Sequence, residues 1–310
     1  MTIALLFAGQ GAQQLGMANG IEHFPDAQNI FEQAAKLTAL PLQELCKNGP
    51  AEELNQTLAA QPALYTQGFA LYQALRSRLP QLSPAYCAGL SLGEFTAHAA
   101  AGSYTFTDGL RLVAERARAM QHACTLTQGG MTSLIGATTE QAAHIANQLD
   151  LDVANYNSPG QIVLSGPLEK LATVPDLAKA AGIKRAIPLK VSGAFHSRLM
   201  QPAADRLLIA LESTPWKKPS CPIVANVTAA PCNDPALFTD LLARQVTGSV
   251  RWDDTIRHLR DVGVTLFLEI GPGEVLAGLN KRIDPALCTI SLSDFTALEP
   301  VAAEVEKLLA

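Results

Sequence analysis

A serine between two glycines is the residue in this sequence that points most directly to chemistry. Ser91 lies in Gly89-Leu90-Ser91-Leu92-Gly93, which fits the pattern G-x-S-x-G. Glycines on both sides allow the tight strand-to-helix turn on which a nucleophilic hydroxyl is exposed. The apolar segment "AYCAGL" precedes this turn and the helix-forming segment "GEFTAHAAA" follows it. The context predicts a nucleophile on a strained turn, and the alternative is a serine with only a structural role there.

A serine hydroxyl is a poor nucleophile without a base, and His196 is the candidate base among the six histidines. It lies in "VSGAFHSRLM", on a predicted loop before a helix, where a side chain could face a cleft. His122 falls on the charged face of its helix, His144 lies in a separate small segment, and His98 should point away from the turn. The alternative for His196 is a side chain that only caps the next helix.

Arg116 is a cation in an apolar position. At 100° per residue from Leu110, its side chain falls near about 240°, between those of Leu112, Met120 and Ala123. A buried guanidinium needs an anion, because burying it unpaired costs several kcal/mol. The partner is either a structural Asp or Glu, or a substrate carboxylate held by two hydrogen bonds.

Two glycine-rich stretches carry less specific information. "GQGAQQLG", at residues 9–16, fails the pattern G-x-G-x-x-G because Gln14 replaces the third glycine. It also lacks the Lys-Ser/Thr ending of a phosphate-binding loop. A glycine loop after the first strand could instead offer a backbone N–H as an oxyanion donor. "GPG", at residues 271–273, predicts a tight turn.

The elements that must position these residues alternate between strand and helix. Residues 1–128 and 194–310 therefore predict a large α/β catalytic domain, an α/β-hydrolase-like mostly parallel sheet with helices on both faces. Residues 129–193 show the order strand, helix, strand, strand, helix, strand, which is the βαββαβ order of a ferredoxin-like unit. We expect this small subdomain to be inserted into the large domain.

Composition excludes several classes of protein. The chain has 310 residues, of which 48% are hydrophobic and 16% are charged, so it can bury a sizeable core. A net charge of −5 argues against a nucleic-acid partner. No apolar run reaches the roughly 20 residues of a membrane span, and "TIALLFAG" is unlike a signal peptide. The six cysteines have no metal or redox spacing. We expect a cytoplasmic protein with reduced thiols and no metal site.

Taken in order, these motifs resemble those of the malonyl-CoA:acyl carrier protein transacylases, including the acyltransferases of polyketide synthases. The shared motifs run along nearly the whole chain: "GQGAQ", "QPAL", "GLSLGE", "RARAMQ", "NSPGQIVLSG", "GAFHS", "VRW" and "EIGPG". The chain departs from the family pattern at two positions. Leu90 stands where the family usually has His, and Ala117 stands where it usually has Gly.

The resemblance implies transfer of a malonyl group from malonyl-CoA to the phosphopantetheine thiol of an acyl carrier protein, in fatty acid or polyketide biosynthesis. Ser91 would carry the malonyl group and His196 would be its base. The backbone N–H groups of Gln10 and Leu92 would form the oxyanion hole, and Arg116 would bind the free carboxylate of malonate. No cofactor is implied, because CoA and the carrier's phosphopantetheine act as substrates.

Two further roles come from the resemblance alone. The backbone carbonyl of Arg251, in the segment "SVRW", would orient the catalytic histidine. Phe195 would leave little room for an extra methyl group, because relatives with Phe before the histidine mostly choose malonyl over methylmalonyl units.

Two other functions stay open. A serine acyl hydrolase on the same scaffold would use water in place of the carrier thiol, although a hydrolase of neutral acyl chains gains nothing from a buried cation at Arg116. An inactive subunit that docks a carrier protein is suggested by Leu90, an apolar residue beside the expected nucleophile.

Overall fold

A computed structural model describes residues 1–309, which form ten strands and fourteen α-helices. The strands are β1 (Ile3–Phe7), β2 (Tyr86–Gly89), β3 (Gly129–Ala137), β4 (Asp152–Ser158), β5 (Gly160–Pro167), β6 (Arg185–Pro188), β7 (Ile223–Val224), β8 (Pro231–Cys232), β9 (Leu266–Ile270) and β10 (Thr289–Leu292). The helices are α1 (Pro25–Thr38), α2 (Leu42–Asn48), α3 (Ala51–Leu54), α4 (Thr57–Arg78), α5 (Leu92–Ala100), α6 (Phe106–Leu126), α7 (Thr139–Leu149), α8 (Leu168–Leu171), α9 (Val174–Ala180), α10 (Gln201–Glu212), α11 (Pro235–Thr247), α12 (Trp252–Asp261), α13 (Val275–Ile283) and α14 (Leu298–Leu309). None of the helices in this part of the chain has an apolar stretch long enough to cross a bilayer.

The larger sheet has six strands in the order β10-β9-β1-β2-β7-β8, and its strands are parallel except for the β7–β8 pair. All five residues of the central strand β1 are buried. Ile3, Leu5 and Phe7 belong to one apolar cluster and Ala4 and Leu6 to another. Because successive side chains of a strand point to opposite faces, these clusters are the two faces of a sheet that is covered on both sides.

The register of the larger sheet brings the ends of three strands together. Phe7, the last residue of β1, is aligned with Gly89 at the end of β2 and with Ile270 at the end of β9. Loops that follow parallel strands leave from the same edge of the sheet. The loop after β1, which carries Gln10, and the turn after β2, which carries Ser91, therefore emerge side by side.

The second sheet is antiparallel, in the order β4-β5-β3-β6, and α7, α8 and α9 contribute to an apolar cluster of its own. Its strands and helices follow the βαββαβ order of a ferredoxin-like unit, with α8 and α9 together in the place of the second helix. The expected fold class, a parallel-sheet α/β domain with a second, ferredoxin-like unit, is confirmed. The second sheet spans residues 129–188, and the domain limits at 128/129 and 193/194 stay a prediction.

The segment after α11 joins the two sheets. The N–H of Val250 donates to the carbonyl of Ala154 at 2.8 Å, and the N–H of Tyr156 donates to the carbonyl of Val250 at 2.9 Å. The Ser249 hydroxyl also donates to the carbonyl of Val153. Backbone hydrogen bonds to β4 thus fix the chain just after α11.

Candidate active site

Ser91 lies on a strained turn between β2 and α5, with φ 53° and ψ −104°. A non-glycine residue in such a conformation costs of order 1–3 kcal/mol. The flanking glycines have no room for side chains: a Cβ on Gly89 would lie 2.0 Å from the carbonyl carbon of Gly93, and one on Gly93 would lie 2.0 Å from the carbonyl oxygen of Phe7. The two glycines of G-x-S-x-G are therefore steric requirements of this turn.

Two amide side chains hold the turn in place. Asn226 accepts from the backbone N–H of Ser91 at 2.7 Å and donates to the carbonyl of Gly89 at 2.7 Å. Gln245 donates through Nε2 to the carbonyl of Ser91 at 2.8 Å. These three hydrogen bonds are buried, where each is strengthened by the low local dielectric constant. They stabilise the strained conformation of the serine.

Ser91 and His196 form a hydrogen-bonded pair, with Oγ 2.7 Å from Nε2. The other ring nitrogen, Nδ1, lies 2.8 Å from the carbonyl oxygen of Gln245 and 3.2 Å from that of Gly248. Both carbonyls can only accept, so Nδ1 carries the ring proton and Nε2 is free to accept the proton of the serine. This is the arrangement of a nucleophile with its general base.

The histidine is neutral at ordinary pH. Burial, and secondly the charge of Arg116, lower the pKa of His196 to about 4, while its hydrogen bonds to the carbonyls of Gln245 and Gly248 act in the opposite direction. A base must be unprotonated to accept a proton, and here it stays so well below pH 6.

The prediction that Arg251 orients the histidine is wrong. The carbonyl of Arg251 accepts instead from the N–H of Thr255 at 3.0 Å, as the first hydrogen bond of α12. The chain contacts the histidine earlier, through the carbonyls of Gln245 and Gly248, before it pairs with β4. By Arg251 the backbone has already entered a helix, which uses its carbonyl.

Arg116 is buried beside the serine hydroxyl. Its Nη2 donates to Ser91 Oγ at 2.9 Å and to Gln245 Oε1 at 3.1 Å, and its Nη1 donates to Gln61 Oε1 at 2.7 Å. All three partners are neutral, and over residues 1–309 the guanidinium forms no salt bridge. The alternative of a structural Asp or Glu partner is not what the structure shows.

The Arg116 guanidinium retains capacity to bind an anion. Its Nε is buried and has no hydrogen-bond partner within the described chain. Burial lowers the pKa of Arg116 to about 10, and the nearby charge of Glu94 acts against this. The group is therefore still a cation at neutral pH, and it lies 5.3 Å from the centroid of the Phe95 ring. A carboxylate entering this site would meet a buried positive charge that no acid neutralises by direct contact.

Gln10 and Leu92 lie where two strand ends meet. Leu92 is the first residue of α5, and the loop that holds Gln10 touches the turn: a Cβ on Gly9 would lie 2.3 Å from the carbonyl oxygen of Leu90. The backbone N–H groups of Gln10 and Leu92 have no acceptor within residues 1–309. The side chain of Gln10 also accepts from Gln61 at 3.2 Å. Neither N–H group is thus occupied by an acceptor of the described chain, which an oxyanion donor requires.

Phe195 and Leu90 are placed by packing. Phe195 is buried in the larger apolar cluster next to His196. Leu90 is half-buried and packs against the second cluster, which includes Val250 and Trp252. The apolar residue at position 90 therefore belongs to the core on one side of the sheet.

Four residues at the site were not assigned from the sequence. All four have polar side chains and are fully buried: Gln61, Glu94, Asn226 and Gln245. Gln61 and Glu94 lie inside two of the motifs that the chain shares with the family, "QPAL" and "GLSLGE". Those motifs did not indicate what the two side chains contact. Asn226 interrupts the apolar run "PIVANV", and a lone polar residue in such a run is a usable indication of a buried hydrogen bond.

Comparison with known proteins gives a consistent result. Residues 4–283 match the family model described as "Acyl transferase domain". The chain is 38% identical over 303 residues to the malonyl CoA-acyl carrier protein transacylase of Bacillus subtilis, covering 96% of this chain and 95% of that protein. It is 36% identical over 285 residues to a polyketide biosynthesis malonyl CoA-acyl carrier protein transacylase of the same organism, covering 91% and 96% of the two chains.

Solved structures agree with the sequence relatives. A malonyl-transacylase solved in complex with a type II polyketide synthase acyl-carrier protein has a TM-score of 0.94 and 36% identity, covering 98% of this chain and 100% of that one. An acyl carrier protein S-malonyltransferase from Vibrio cholerae has a TM-score of 0.92 and 35% identity, covering 97% and 100%. This chain thus shares its overall fold with these solved structures.

Proposed function

The chain belongs to the acyl transferase domain family, and from this membership we propose that it transfers a malonyl group from malonyl-CoA to the phosphopantetheine thiol of an acyl carrier protein. The reaction has two half-reactions, with Ser91 carrying the malonyl group between them. CoA and the carrier's phosphopantetheine are substrates, and the cytoplasm is the compartment that we assign to the reaction.

In the first half-reaction, the Ser91 hydroxyl gives its proton to His196 Nε2 as Oγ attacks the thioester carbonyl of malonyl-CoA. The developing oxyanion accepts hydrogen bonds from the N–H groups of Gln10 and Leu92. The carbon–sulfur bond then breaks, and the leaving sulfur of CoA takes the proton from His196. The product is a malonyl ester on Ser91.

In the second half-reaction, the thiol of the carrier's phosphopantetheine gives its proton to His196 and its sulfur attacks the ester carbonyl. The same two N–H groups stabilise the second oxyanion. The carbon–oxygen bond breaks and Ser91 Oγ takes back the proton. Transfer to a thiol instead of water is what separates this proposal from a hydrolase.

The observation that carries the proposal is the contact of one hydroxyl with both a base and a buried cation. Ser91 Oγ lies 2.7 Å from His196 Nε2 and 2.9 Å from Arg116 Nη2. An acyl group on this oxygen would place a carboxylate two carbons from its carbonyl within reach of the guanidinium. Neutral acyl chains would leave the cation unpaired, so the site favours a dicarboxylic half-ester. Phe195, next to the base, would disfavour a branched malonyl unit.

The two alternative functions fit these contacts less well. A hydrolase of neutral acyl chains has no use for a buried cation at its nucleophile. An inactive docking subunit has no use for a serine held in a strained conformation and bonded to a neutral histidine at 2.7 Å.

Partition of a labelled malonyl group tests the proposal. The protein is incubated with radiolabelled malonyl-CoA, with and without holo acyl carrier protein, and with Ser91→Ala as the control. We expect label on the carrier protein, little free malonate, and neither product with Ser91→Ala. Free malonate that forms equally fast with and without the carrier would contradict transfer and support hydrolysis.

A further inference from the structure

Glu94 is a buried carboxyl group to which the two half-reactions assign no role. It lies in the first turn of α5, on the helix that begins directly after Ser91, and is fully buried. Its Oε2 accepts from Gln245 Nε2 at 2.6 Å and from the N–H of Asn226 at 3.2 Å, and its Oε1 has no partner in the described part of the chain. A buried carboxyl without a salt bridge is unfavourable for stability, so its presence needs a reason.

The first reason lies in the orientation of the Gln245 side-chain amide. Its Nε2 faces two groups that only accept, the carbonyl of Ser91 and the carboxylate of Glu94. Its Oε1 faces Arg116 Nη2, which only donates. A reversed amide would place an oxygen against two acceptors and an NH₂ against a guanidinium, so all three contacts would be lost. Glu94 thus helps to fix which end of Gln245 faces the arginine.

The second reason lies in the separation of the Glu94 carboxyl from the Arg116 guanidinium. An arginine in direct contact with a carboxylate would already be neutralised and would bind a substrate carboxylate poorly. Here the neutral amide of Gln245 stands between the carboxyl of Glu94 and the guanidinium of Arg116. Glu94 orients the arginine through the amide, and within residues 1–309 the guanidinium has no direct ionic partner.

We propose that Glu94 is a positioning residue for malonyl selectivity, which acts through Gln245 to hold the Arg116 guanidinium at the nucleophile. This proposal rests on the proposed malonyl transfer and adds to it an explanation of what holds Arg116 in position. Burial raises the pKa of Glu94 to about 7, while its hydrogen bonds to Gln245 and Asn226 and the charge of Arg116 act in the opposite direction. The hydrogen-bond geometry requires only that the side chain present an acceptor to Gln245, which either an ionised carboxyl or an amide oxygen can do.

The test compares malonyl-CoA with acetyl-CoA in the full-length protein. The kcat/KM for loading and transfer is measured for each substrate with Glu94→Ala and Glu94→Gln. Glu94→Ala removes one of the two acceptors of Gln245 Nε2 and so weakens the hold on this amide. We therefore expect the malonyl-to-acetyl ratio of kcat/KM to fall about tenfold, mainly through the KM for malonyl-CoA. Glu94→Gln still presents an acceptor to Gln245, so we expect it to keep the ratio within about threefold of the wild-type value.

Glu269 supplies a matched control, because it is also a fully buried glutamate and its carboxylate accepts from the N–H groups of Leu276 and Ala277. Glu269→Ala should lower the melting temperature and leave the malonyl-to-acetyl ratio unchanged. A folded Glu94→Ala protein with an unchanged malonyl-to-acetyl ratio would overturn the positioning role. A Glu94→Gln protein whose ratio falls as far as that of Glu94→Ala would overturn it as well.

Gln245→Met keeps the test decisive if Glu94→Ala does not fold. This variant removes the amide and retains the backbone carbonyl that contacts His196, so it should lower the malonyl-to-acetyl ratio about tenfold. An unchanged ratio in Gln245→Met would overturn the inference. A wild-type protein that loads no malonyl group at all would refute the proposed function itself.

Discussion

Replacing Arg116 with alanine should change which acyl group the protein accepts. The substrate carboxylate would then enter a buried site without a cation. Removing one partner of a buried ion pair costs about 3–5 kcal/mol. At about 1.4 kcal/mol per tenfold, this corresponds to a loss of roughly 10²–10⁴ in kcat/KM for malonyl-CoA. Acetyl-CoA has no carboxylate to leave unpaired.

The expected loss for acetyl-CoA is smaller because the hydrogen-bonded pair of Ser91 and His196 is retained. Arg116→Ala removes the hydrogen bond from Nη2 to Ser91 Oγ but leaves the 2.7 Å contact between Ser91 and His196. One lost hydrogen bond of this kind should lower kcat/KM by at most about tenfold. The malonyl-to-acetyl ratio of kcat/KM should therefore fall at least about tenfold, and by as much as about 10⁴-fold if acetyl transfer is unaffected.

The assay measures CoA release from malonyl-CoA and acetyl-CoA with one holo acyl carrier protein. Arg118→Ala is the matched control, since Arg118 lies on the same helix, is exposed, and forms an ion pair only with Glu115 among residues 1–309. Arg118→Ala should leave kcat/KM unchanged for both substrates. Melting curves should show that each variant is folded. Equal losses for the two substrates in Arg116→Ala would refute the reasoning and make the arginine purely structural.

Three further changes test other parts of the site. With the pKa of His196 lowered to about 4, kcat/KM should stay level down to about pH 5 and fall below it as the base is protonated; a half-maximal value near pH 6.5 would contradict this. Asn226→Ala removes both of this side chain's hydrogen bonds to the turn, to Ser91 and Gly89, so the melting temperature and the rate of Ser91 acylation should both fall. An unchanged rate would show that the turn keeps its conformation without these hydrogen bonds. Leu90→His places a polar ring against an apolar cluster and should lower the melting temperature while changing malonyl transfer less than about threefold; a large gain in rate would show that the apolar residue limits catalysis.

Local rules account for the parts of the structure that the sequence could predict. The strand and helix around Ser91 are predicted from an apolar run, two glycines and a helix-forming segment, which follow one another directly in the sequence. Arg116 could be placed on the buried face of its helix because helical periodicity is a local property. The ferredoxin-like order of the second unit follows from the order of its elements along the chain.

Long-range contacts account for the parts that the sequence could not predict. Asn226 and Gln245 reach the turn from segments far along the chain, and an amide side chain has no periodicity or spacing that identifies its partner. The error at Arg251 has a similar origin. Which carbonyl faces His196 depends on where the chain leaves α11 and begins α12, and that boundary is set by pairing with β4 through Val250.

Intact-protein mass spectrometry tests the central claim most directly. The protein is mixed with malonyl-CoA, its mass is measured, the modified peptide is identified, and holo acyl carrier protein is then added. The account predicts a mass increase of one malonyl group on Ser91, absent in Ser91→Ala, which disappears as the carrier protein gains the same mass. A protein that never gains this mass, or that loses it to water at the same rate without the carrier, would contradict the account.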